Sequence, residues 1–351
     1  MTKYDIIFLA SYPNSESIKD GAAQRIHNID KAFNKQKRLY ISISLRHNRK
    51  KKIIKQNELI TEYKLNLFYH FLLIWKLLRL SNTIYIHSIY AFSQATLHLL
   101  FTSKQYLWLD VHGVVPEEVK LRCSKFLYYL YNFIEHIAFK NIYGAIYVTR
   151  AMEEHYSKKY SQRKNLNTII YNIHSNYTFS QPEVKVDENQ KTVVIYSGNL
   201  QAWQNIDLML DIISKNLSDQ LEYIILTGDY EAFMNKITQF NISPTKLTVK
   251  SVAPEMLWKF YSKAHYGFIL RDDILVNRVA NPTKMIEYLS YGIIPIVKLE
   301  QIGDFDKYGY EYISYRDFNT SLKPRKSVKN ISIANQITSQ KTNLEKAILK
   351  Q

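Results

Sequence analysis

The sequence lacks the features that mark several large classes of protein. Cys123 is its one cysteine, which excludes an internal disulfide framework and a metal site built from several thiolates. This scarcity is typical of proteins in a reducing cytoplasm. No apolar run reaches the roughly 18 residues that a membrane-spanning helix needs. The nearest, 68–80, carries Lys76 and Arg79. The first residues lack a basic segment and a cleavage site, so they indicate a first strand and no signal peptide.

Positive charge, by contrast, is abundant. The chain of 351 residues holds 47 basic and 31 acidic residues, a net charge of +16. Such an excess suits nucleic acid, an anionic membrane surface or a phosphorylated substrate. The densest basic run is 49–52 (RKKK), and no zinc-finger spacing or RNA-binding motif accompanies it. We therefore expect no nucleic-acid partner. A membrane surface and a diphosphate ligand remain, and each is compatible with the other.

Two successive series of apolar strands and helical patterns divide the chain. The first series predicts strands at 5–10, 39–45, 83–87, 106–111 and 144–148. The second predicts strands at 192–196, 222–227, 247–249, 266–270 and 293–297. Alternation of this kind predicts parallel sheets covered by helices on both faces. We therefore predict an α/β fold of two Rossmann-like, doubly wound parallel-sheet domains that face each other across a cleft.

A polar stretch without periodicity separates the two series. It covers 175–191 and contains Pro182, which indicates a linker. The predicted boundaries are an N-terminal domain at 1–174, a C-terminal domain at 192–325 and a helical tail at 326–351. Open parallel sheets bind ligands at the carboxyl ends of their strands. The residues directly after each predicted strand are therefore the candidates for a site.

The segment 281–297 (NPTKMIEYLSYGIIPIV) has the clearest local pattern. Asn281 suits an N-cap, Pro282 suits the first helical position, and Gly292 suits a left-handed C-cap. A helix is therefore predicted over 282–291, followed by an apolar strand. Its N-terminus would present amide groups and the positive end of the helix dipole, which suit a diphosphate.

Three side chains near the start of this helix add to that site. Thr283 and Lys284 lie in the first turn, where the lysine supplies a formal positive charge. Glu287 lies one turn further on the same side, where a carboxylate can accept hydrogen bonds from two ribose hydroxyls. An ordinary Lys–Glu surface pair on an amphipathic helix explains these two residues equally well.

The preceding loop, 271–280 (RDDILVNRVA), favours the ligand interpretation. Arg271 follows a predicted core strand, and Arg278 and Asn277 lie within the same loop. Arginine at a strand end is well suited to two-point contacts with phosphate. A solvated charged loop is the alternative.

Together, 271–278 and 282–297 resemble the donor-site segment of GT-B-fold glycosyltransferases similar to family 4, which build bacterial capsule, exopolysaccharide or lipopolysaccharide chains. The resemblance implies that Glu287 holds the nucleotide ribose and that the anomeric configuration is retained. The family has a second glutamate where this sequence has Val279. The C-terminal domain would then bind a nucleoside-diphosphate sugar as substrate, and the N-terminal domain an acceptor.

A second donor segment follows the first strand of the C-terminal domain. Gly198 would let the backbone approach a ligand closely. The family usually has arginine and lysine where this sequence has Asn199 and Gln204. We infer that Arg271, Arg278 and Lys284 supply the missing positive charge. Asp229, after another strand, is either a donor contact or a helix cap.

The N-terminal domain offers four candidates. Gly21 and Arg25 lie at the start of the first helix, where a phosphate loop or a plain helix start is expected. His112, in 110–118 (DVHGVVPEE), follows a strand and is a catalytic candidate, with a structural histidine as the alternative. Glu117 is a second acid or base candidate. No D-x-D motif stands at a metal site, so we expect neither a metal nor another cofactor.

The resulting hypothesis is a glycosyltransferase that moves a sugar to a saccharide or lipid-linked saccharide acceptor in cell-surface polysaccharide synthesis. Arg271, Lys284 and His112 would carry the chemistry. Two alternatives stay open: a sugar-nucleotide epimerase on the same scaffold, and a non-catalytic nucleotide-sugar-binding partner of a polysaccharide assembly complex. We expect a cytoplasmic location, with peripheral attachment to the inner face of the cell membrane as a further expectation.

Overall fold

The computed structural model describes residues 4–14, 21–101, 106–122, 125–172, 187, 189–340 and 342–349. The chain divides into two compact units, one formed by 1–173 with 341–351 and the other by 174–340. No helix in the described part is both long and apolar enough to cross a membrane. The two α/β units that the alternation predicts are confirmed.

The first unit is built on a sheet of eight strands. Its strands are β1 (Ile6–Leu9), β2 (Arg38–Ser44), β3 (Lys52–Lys55), β4 (Ile60–Asn66), β5 (Thr83–His87), β6 (Tyr106–Val111), β7 (Gly144–Tyr147) and β8 (Asn167–Ile170). Its helices are α1 (Gly21–Ala32), α2 (Phe71–Leu78), α3 (Ser88–Leu100), α4 (Val115–Arg122), α5 (Lys125–Asn141), α6 (Arg150–Lys159) and, from the C-terminal end of the chain, α13 (Leu344–Leu349).

The strand order in this sheet is β3-β4-β2-β1-β5-β6-β7-β8. All pairs are parallel except β3 with β4, an antiparallel hairpin at one edge. Register places His87, the last residue of β5, opposite Asp110 near the end of β6. The carboxyl ends of the parallel strands share one edge of the sheet. His87 and Asp110 both lie at that edge.

The second unit is built on six parallel strands in the order β11-β10-β9-β12-β13-β14. They are β9 (Thr192–Ser197), β10 (Leu221–Leu226), β11 (Leu247–Lys250), β12 (Tyr266–Ile269), β13 (Ile294–Val297) and β14 (Ile313–Ser314). The helices are α7 (Ile206–Lys215), α8 (Tyr230–Gln239), α9 (Trp258–Tyr261), α10 (Leu275–Arg278), α11 (Thr283–Ser290) and α12 (Val328–Ser339).

Alternate residues of the central strands of this unit enter two separate cores. Ile195 packs on one face with residues of α11 and α12. Val194 and Tyr196 pack on the other face with residues of α7 and α8. A strand points successive side chains to opposite faces, so both faces of the sheet are covered. This accounts for the continuous apolar runs in its sequence.

Several elements differ from the sequence prediction. The strands β3, β4, β8 and β14 were not predicted. In β4 the buried residue Glu62 accepts a hydrogen bond from the Tyr12 amide, 3.1 Å. A buried carboxylate interrupts the apolar pattern by which a core strand is recognised. The loop predicted at 271–280 contains the short helix α10.

The ends of the second domain also differ. Most of the predicted linker, 175–191, lies outside the described residues. The predicted tail, 326–351, is divided, because α12 belongs to the second unit and α13 to the first. Leu344 and Ile348 of α13 pack in the same core as Ile29 of α1 and Phe33, which directly follows α1. The last helix therefore completes the first unit.

Candidate functional site

The second unit buries an arginine where β12 ends. Arg271 is 9% exposed, and its Nη1 donates to Asn277 Oδ1 at 3.3 Å. Its Nε atom is buried and has no hydrogen-bond partner in the described part of the chain. Burial lowers the pKa of this guanidinium to about 10. An unsatisfied charged donor is costly inside a protein, which points to an acceptor that comes from outside the chain.

A lysine is buried beside it, in the first turn of α11. Lys284 Nζ donates to Gln204 Oε1 at 2.8 Å and lies 4.2 Å from the centroid of the Tyr196 ring. Burial and then the neighbouring Arg271 hold the pKa of Lys284 well below its ordinary value, while Glu287 opposes the shift. Two buried positive groups therefore repel each other in one place. Among the described residues neither forms an ion pair with a carboxylate.

Glu287 lies one turn after the lysine. Its Oε2 accepts a hydrogen bond from Tyr261 Oη at 2.9 Å, and Tyr261 Oη also lies 2.7 Å from Ser197 Oγ. Burial raises the pKa of Glu287. The side chain is only half-buried, so it remains accessible to a ligand hydroxyl. A carboxylate fixed by tyrosine in this way can accept further hydrogen bonds with little loss of side-chain freedom.

Gly198, at the end of β9, is required by its surroundings. Its φ is +152°, and a Cβ there would lie 2.8 Å from Tyr196 Oη and 3.0 Å from Lys284 Nζ. Its amide donates to the Leu226 carbonyl at 2.9 Å. The sequence predicts that this glycine lets a ligand approach the backbone closely. In the structure, the groups that lie close to it are the side chains of Tyr196 and Lys284.

The helix α11 begins one residue later than predicted. Pro282 is its N-cap, with ψ of 124°, and Thr283 is its first residue. A proline φ of about −65° fits a helix, but this extended ψ does not. Gly292 adopts the left-handed conformation with φ of +68°, as its expected C-cap role requires. The first-turn amides at Thr283 and Lys284 lie at the positive end of the helix dipole.

Other predicted donor residues have partners elsewhere. Arg278 forms a two-point ion pair with Asp273, and both side chains are more than half exposed. Asn277 is fully buried and donates to the Asp272 carbonyl at 2.8 Å, so it positions Arg271. Asp272 is paired with Lys298.

The remaining donor candidates are exposed. Asn199 accepts from Tyr196 Oη with its backbone carbonyl at 2.7 Å. Asp229 stands at the N-cap of α8, but its side chain makes no capping hydrogen bond. The close group around the two buried cations is therefore Tyr196, Gly198, Gln204, Asn277 and Glu287.

The first unit gathers a second charged cluster around Asp110, which is fully buried at the end of β6. Arg25 Nε donates to Asp110 Oδ2 at 2.8 Å, and Arg25 Nη2 donates to Oδ1 at 2.5 Å. Tyr85 Oη donates to Oδ2 at 2.6 Å. Burial alone would raise the pKa of Asp110, but Arg25 and two histidines hold it well below its ordinary value. The carboxylate is therefore kept charged by its surroundings.

His112 is the member of this cluster with the most exposed side chain. Its Nδ1 lies 3.2 Å from Asp110 Oδ2, and its ring stacks on His87 with centroids 4.3 Å apart. Burial and the second histidine lower the pKa of His87 to about 4. The Nδ1 side of the His112 ring faces the Asp110 carboxylate, so Nε2 lies on the other side of the ring. His87 and Tyr85 were not predicted as site residues, although both lie on the strand next to Asp110.

Three of these groups are close enough to share a metal ion. The ligand atoms of His87, Asp110 and His112 lie within 4.8 Å of one another. Asp110 already accepts hydrogen bonds from Arg25 and Tyr85. A divalent cation bound to this carboxylate would be repelled by the adjacent Arg25 guanidinium. The arrangement fits a hydrogen-bonded cluster better than a metal site.

Two further predicted residues lie apart from the cluster. Glu117 Oε1 pairs with Lys159 at 3.4 Å, and Lys159 also pairs with the buried Glu135 at 2.6 Å. Gly21 begins α1, and a Cβ added there would meet no atom within 4 Å. Arg25 is the residue of that helix start that reaches the cluster, through Asp110.

Comparison with known proteins identifies the fold. No family model and no curated protein matches the chain. HepE from Anabaena, solved with UDP-glucose, is 10% identical, with a TM-score of 0.60 over 99% of this chain and 92% of its own. Sucrose-phosphate synthase from Thermosynechococcus elongatus is 12% identical, with a TM-score of 0.59 over 95% and 88%. The trehalose-6-phosphate synthase OtsA is 12% identical, with a TM-score of 0.61 over 98% and 96%.

The chain has the GT-B fold. Its two parallel-sheet α/β units confirm the predicted fold class. At 10–12% identity the likeness is one of fold, so the chemistry has to be argued from this chain's own residues.

Proposed function

We propose that this protein is a glycosyltransferase of the GT-B fold that takes its sugar from a nucleoside-diphosphate sugar. The observation that carries the proposal is the pair of buried cations, Arg271 and Lys284, without a carboxylate partner among the described residues. A diphosphate supplies the missing negative charge and the acceptor for Arg271 Nε. HepE, of similar fold, was solved with UDP-glucose, which supports a donor of the same class.

The second unit would hold this donor. The diphosphate would lie at Arg271, Lys284 and the first-turn amides of α11. The ribose hydroxyls would donate to Glu287, which Tyr261 already orients. Gln204, where similar enzymes of family 4 have lysine, fixes the Lys284 ammonium group through its Oε1. In this proposal the missing cation is supplied from α11.

Catalysis would depend mainly on the departing group. Transfer breaks the bond between the anomeric carbon and the diphosphate oxygen and forms one between that carbon and the acceptor hydroxyl oxygen, through an oxocarbenium-like transition state. The hydroxyl proton leaves with the departing diphosphate. Negative charge grows on the diphosphate as that bond breaks, and fixed positive groups stabilise it more in the transition state than in the ground state. Arg271 and Lys284 are the catalytic residues in this account. We propose retention of configuration from the resemblance to family 4.

The first unit would hold the acceptor, which we propose is a saccharide or lipid-linked saccharide in cell-surface polysaccharide synthesis. His112, whose Nδ1 faces Asp110, would receive a hydrogen bond from the acceptor hydroxyl through Nε2. The enzyme would work in the cytoplasm, at the inner face of the cell membrane, where the chain's net charge of +16 favours anionic lipid.

Binding and transfer assays test this proposal. We expect UDP, GDP or ADP to raise the melting temperature and the corresponding monophosphate to do so less, because the second phosphate completes the contact with both cations. Arg271→Met should weaken diphosphate binding by roughly 10- to 100-fold, the value of a lost charged hydrogen bond. Arg316→Met, which removes an exposed arginine of the same unit, is the matched control.

The outcomes separate the proposal from its alternatives. Release of nucleotide and transfer of labelled sugar to a saccharide acceptor would support it. Formation of an epimeric nucleotide sugar without acceptor would indicate an epimerase. Tight diphosphate binding without transfer or hydrolysis would indicate a binding partner of an assembly complex. If Arg271→Met bound the nucleoside diphosphate as tightly as the parent chain, the proposed donor site would be wrong.

A further inference from the structure

Large apolar side chains are exposed where β4 leads into α2. Phe68 and Tyr69, in the connecting turn, are 70% and 67% exposed, and Leu72 in the first turn of α2 is 67% exposed. These residues lie within five positions of the chain, so one short segment presents an apolar area of three large side chains to water. Such an area on a protein surface usually marks a contact with another body.

A basic loop lies directly beside this turn. Asn66 is buried, and its Nδ2 donates to the carbonyls of Leu45 and His47 at 3.2 and 2.9 Å. Its Oδ1 accepts from the amides of Phe68 and Tyr69 at 3.0 and 3.3 Å. One side chain therefore joins the turn after β2 to the turn after β4.

The joined loop is strongly positive. The stretch 45–52 contains no carboxylate and five basic residues, all exposed. They are Arg46, Arg49, Lys50, Lys51 and Lys52. None forms an ion pair with another described residue. We call these residues, with Phe68, Tyr69 and Leu72, the aromatic–basic surface.

The apolar character continues along the same layer of helices. Phe71 of α2 packs on His98 of α3, with ring centroids 4.2 Å apart. Tyr90 of α3 packs on Tyr131 of α5, with ring centroids 5.2 Å apart. On α5, exposed apolar residues recur at helical spacing, so that one stripe faces solvent. The stripe consists of Phe126, Tyr129, Leu130 and Phe133.

No negative charge opposes this layer. Between positions 67 and 141 the sequence has four carboxylates, and none of them is exposed. They are Asp110, Glu117, Glu118 and Glu135. Exposed aromatic and aliphatic side chains beside unpaired lysine and arginine match a bilayer interface with anionic headgroups, which takes up rings and cations together.

We propose that the aromatic–basic surface docks the first unit on an anionic lipid bilayer, with the α5 stripe as a second apolar contact. The proposal rests on the membrane attachment included in the proposed function and assigns it to particular residues. β2 and β4 run parallel to the central strands, so the joined turns lie at the same edge of the sheet as His112. A lipid-linked acceptor held by this unit would therefore lie close to the bilayer from which it comes.

Vesicle flotation of the full chain, without nucleotide sugar, tests the docking surface. We expect binding to vesicles that contain phosphatidylglycerol, weaker binding to pure phosphatidylcholine, and release by salt. Each basic residue removed should weaken binding about fivefold, so Lys50→Gln with Lys51→Gln and Lys52→Gln should weaken it roughly a hundredfold. Phe68→Ser with Tyr69→Ser should weaken it at least about tenfold.

Matched variants in the second unit provide the controls. Lys215→Gln with Lys259→Gln and Lys263→Gln removes the same charge from exposed positions. Leu217→Ser with Tyr230→Ser removes two apolar side chains that are 37% and 41% exposed. Both should bind vesicles as the parent chain does. Equal loss in the control and test variants would show that net charge alone acts, and would overturn the assigned surface.

Two other outcomes also overturn it. Absent vesicle binding, with diphosphate binding intact, would remove the docking surface and leave the proposed donor site standing. If Phe68→Ser with Tyr69→Ser converted a dimer to a monomer in light scattering while vesicle binding was unchanged, the surface would be a contact between copies of the chain. Failure of diphosphate binding with normal vesicle binding would count against the proposed function alone.

Discussion

The two units bury charge in opposite ways. In the first, the Asp110 carboxylate accepts hydrogen bonds from Arg25 and Tyr85 and lies close to two histidines. In the second, Arg271 and Lys284 are buried beside each other with no carboxylate partner among the described residues. Charge that is paired within the chain contributes to the folded framework, whereas unpaired buried charge costs stability until a ligand compensates it. In our proposal, the difference distinguishes the Asp110 cluster, which is part of the framework, from the donor-binding site.

The largest expected effect is in the paired cluster. Arg25→Met would leave Asp110 buried and charged without its main partner. We expect the free energy of unfolding to fall by about 3–5 kcal/mol, the usual cost of breaking a buried ion pair from one side. Chemical denaturation measures it, with the exposed Arg150→Met as control. A loss below about 1 kcal/mol would mean that water or the histidines already compensate the carboxylate, and the contrast between the units would weaken.

The unpaired site should respond in the opposite sense. Lys284→Met removes a buried cation that Arg271 repels, so the free energy of unfolding without ligand should not fall. Affinity for a nucleoside diphosphate should fall by about 10- to 100-fold, because a charged hydrogen bond to phosphate is lost. Denaturation and calorimetric titration of one preparation measure both quantities. Lost stability with unchanged affinity would place Lys284 in the framework and break the comparison.

Part of this contrast could be predicted from the sequence. The helix at 283–290 was recognised from local signals, because Pro282 and Gly292 act on the backbone within their own turns. Lys284 and Glu287 follow from the spacing of that helix. Their burial does not, since it depends on Tyr196, Gln204 and other residues far away in the chain.

The paired cluster could not be assembled from sequence. Arg25, Tyr85, His87 and Asp110 come from one helix and two strands, and only the register of β5 with β6 places His87 opposite Asp110. That Arg278 pairs with Asp273 could not be predicted from the sequence, for a local reason. Its partner Asp273 lies five residues away in the same loop, and a pattern of charges does not reveal whether they pair with each other or with a ligand.

The smallest expected effect sharpens the comparison by moving the unpaired lysine without removing it. Gly198→Ala places a Cβ 3.0 Å from Lys284 Nζ. It also forces alanine to adopt a φ of +152°. We expect the free energy of unfolding to fall by about 1–2 kcal/mol from strain, with a loss of diphosphate affinity beyond it. Gly228→Ala, at the end of the neighbouring strand β10, is the control. A Cβ there meets no atom within 4 Å, and its φ is not in the left-handed range.

Equal behaviour of these two glycine variants would show that the space around the lysine is not closely defined. Strain without a change in affinity would show that the ligand does not depend on where the ammonium group lies. Only a combined loss, confined to Gly198→Ala, is expected if the unpaired charge is held in place for a diphosphate. The paired cluster predicts no such dependence, because its partners are fixed by the fold itself.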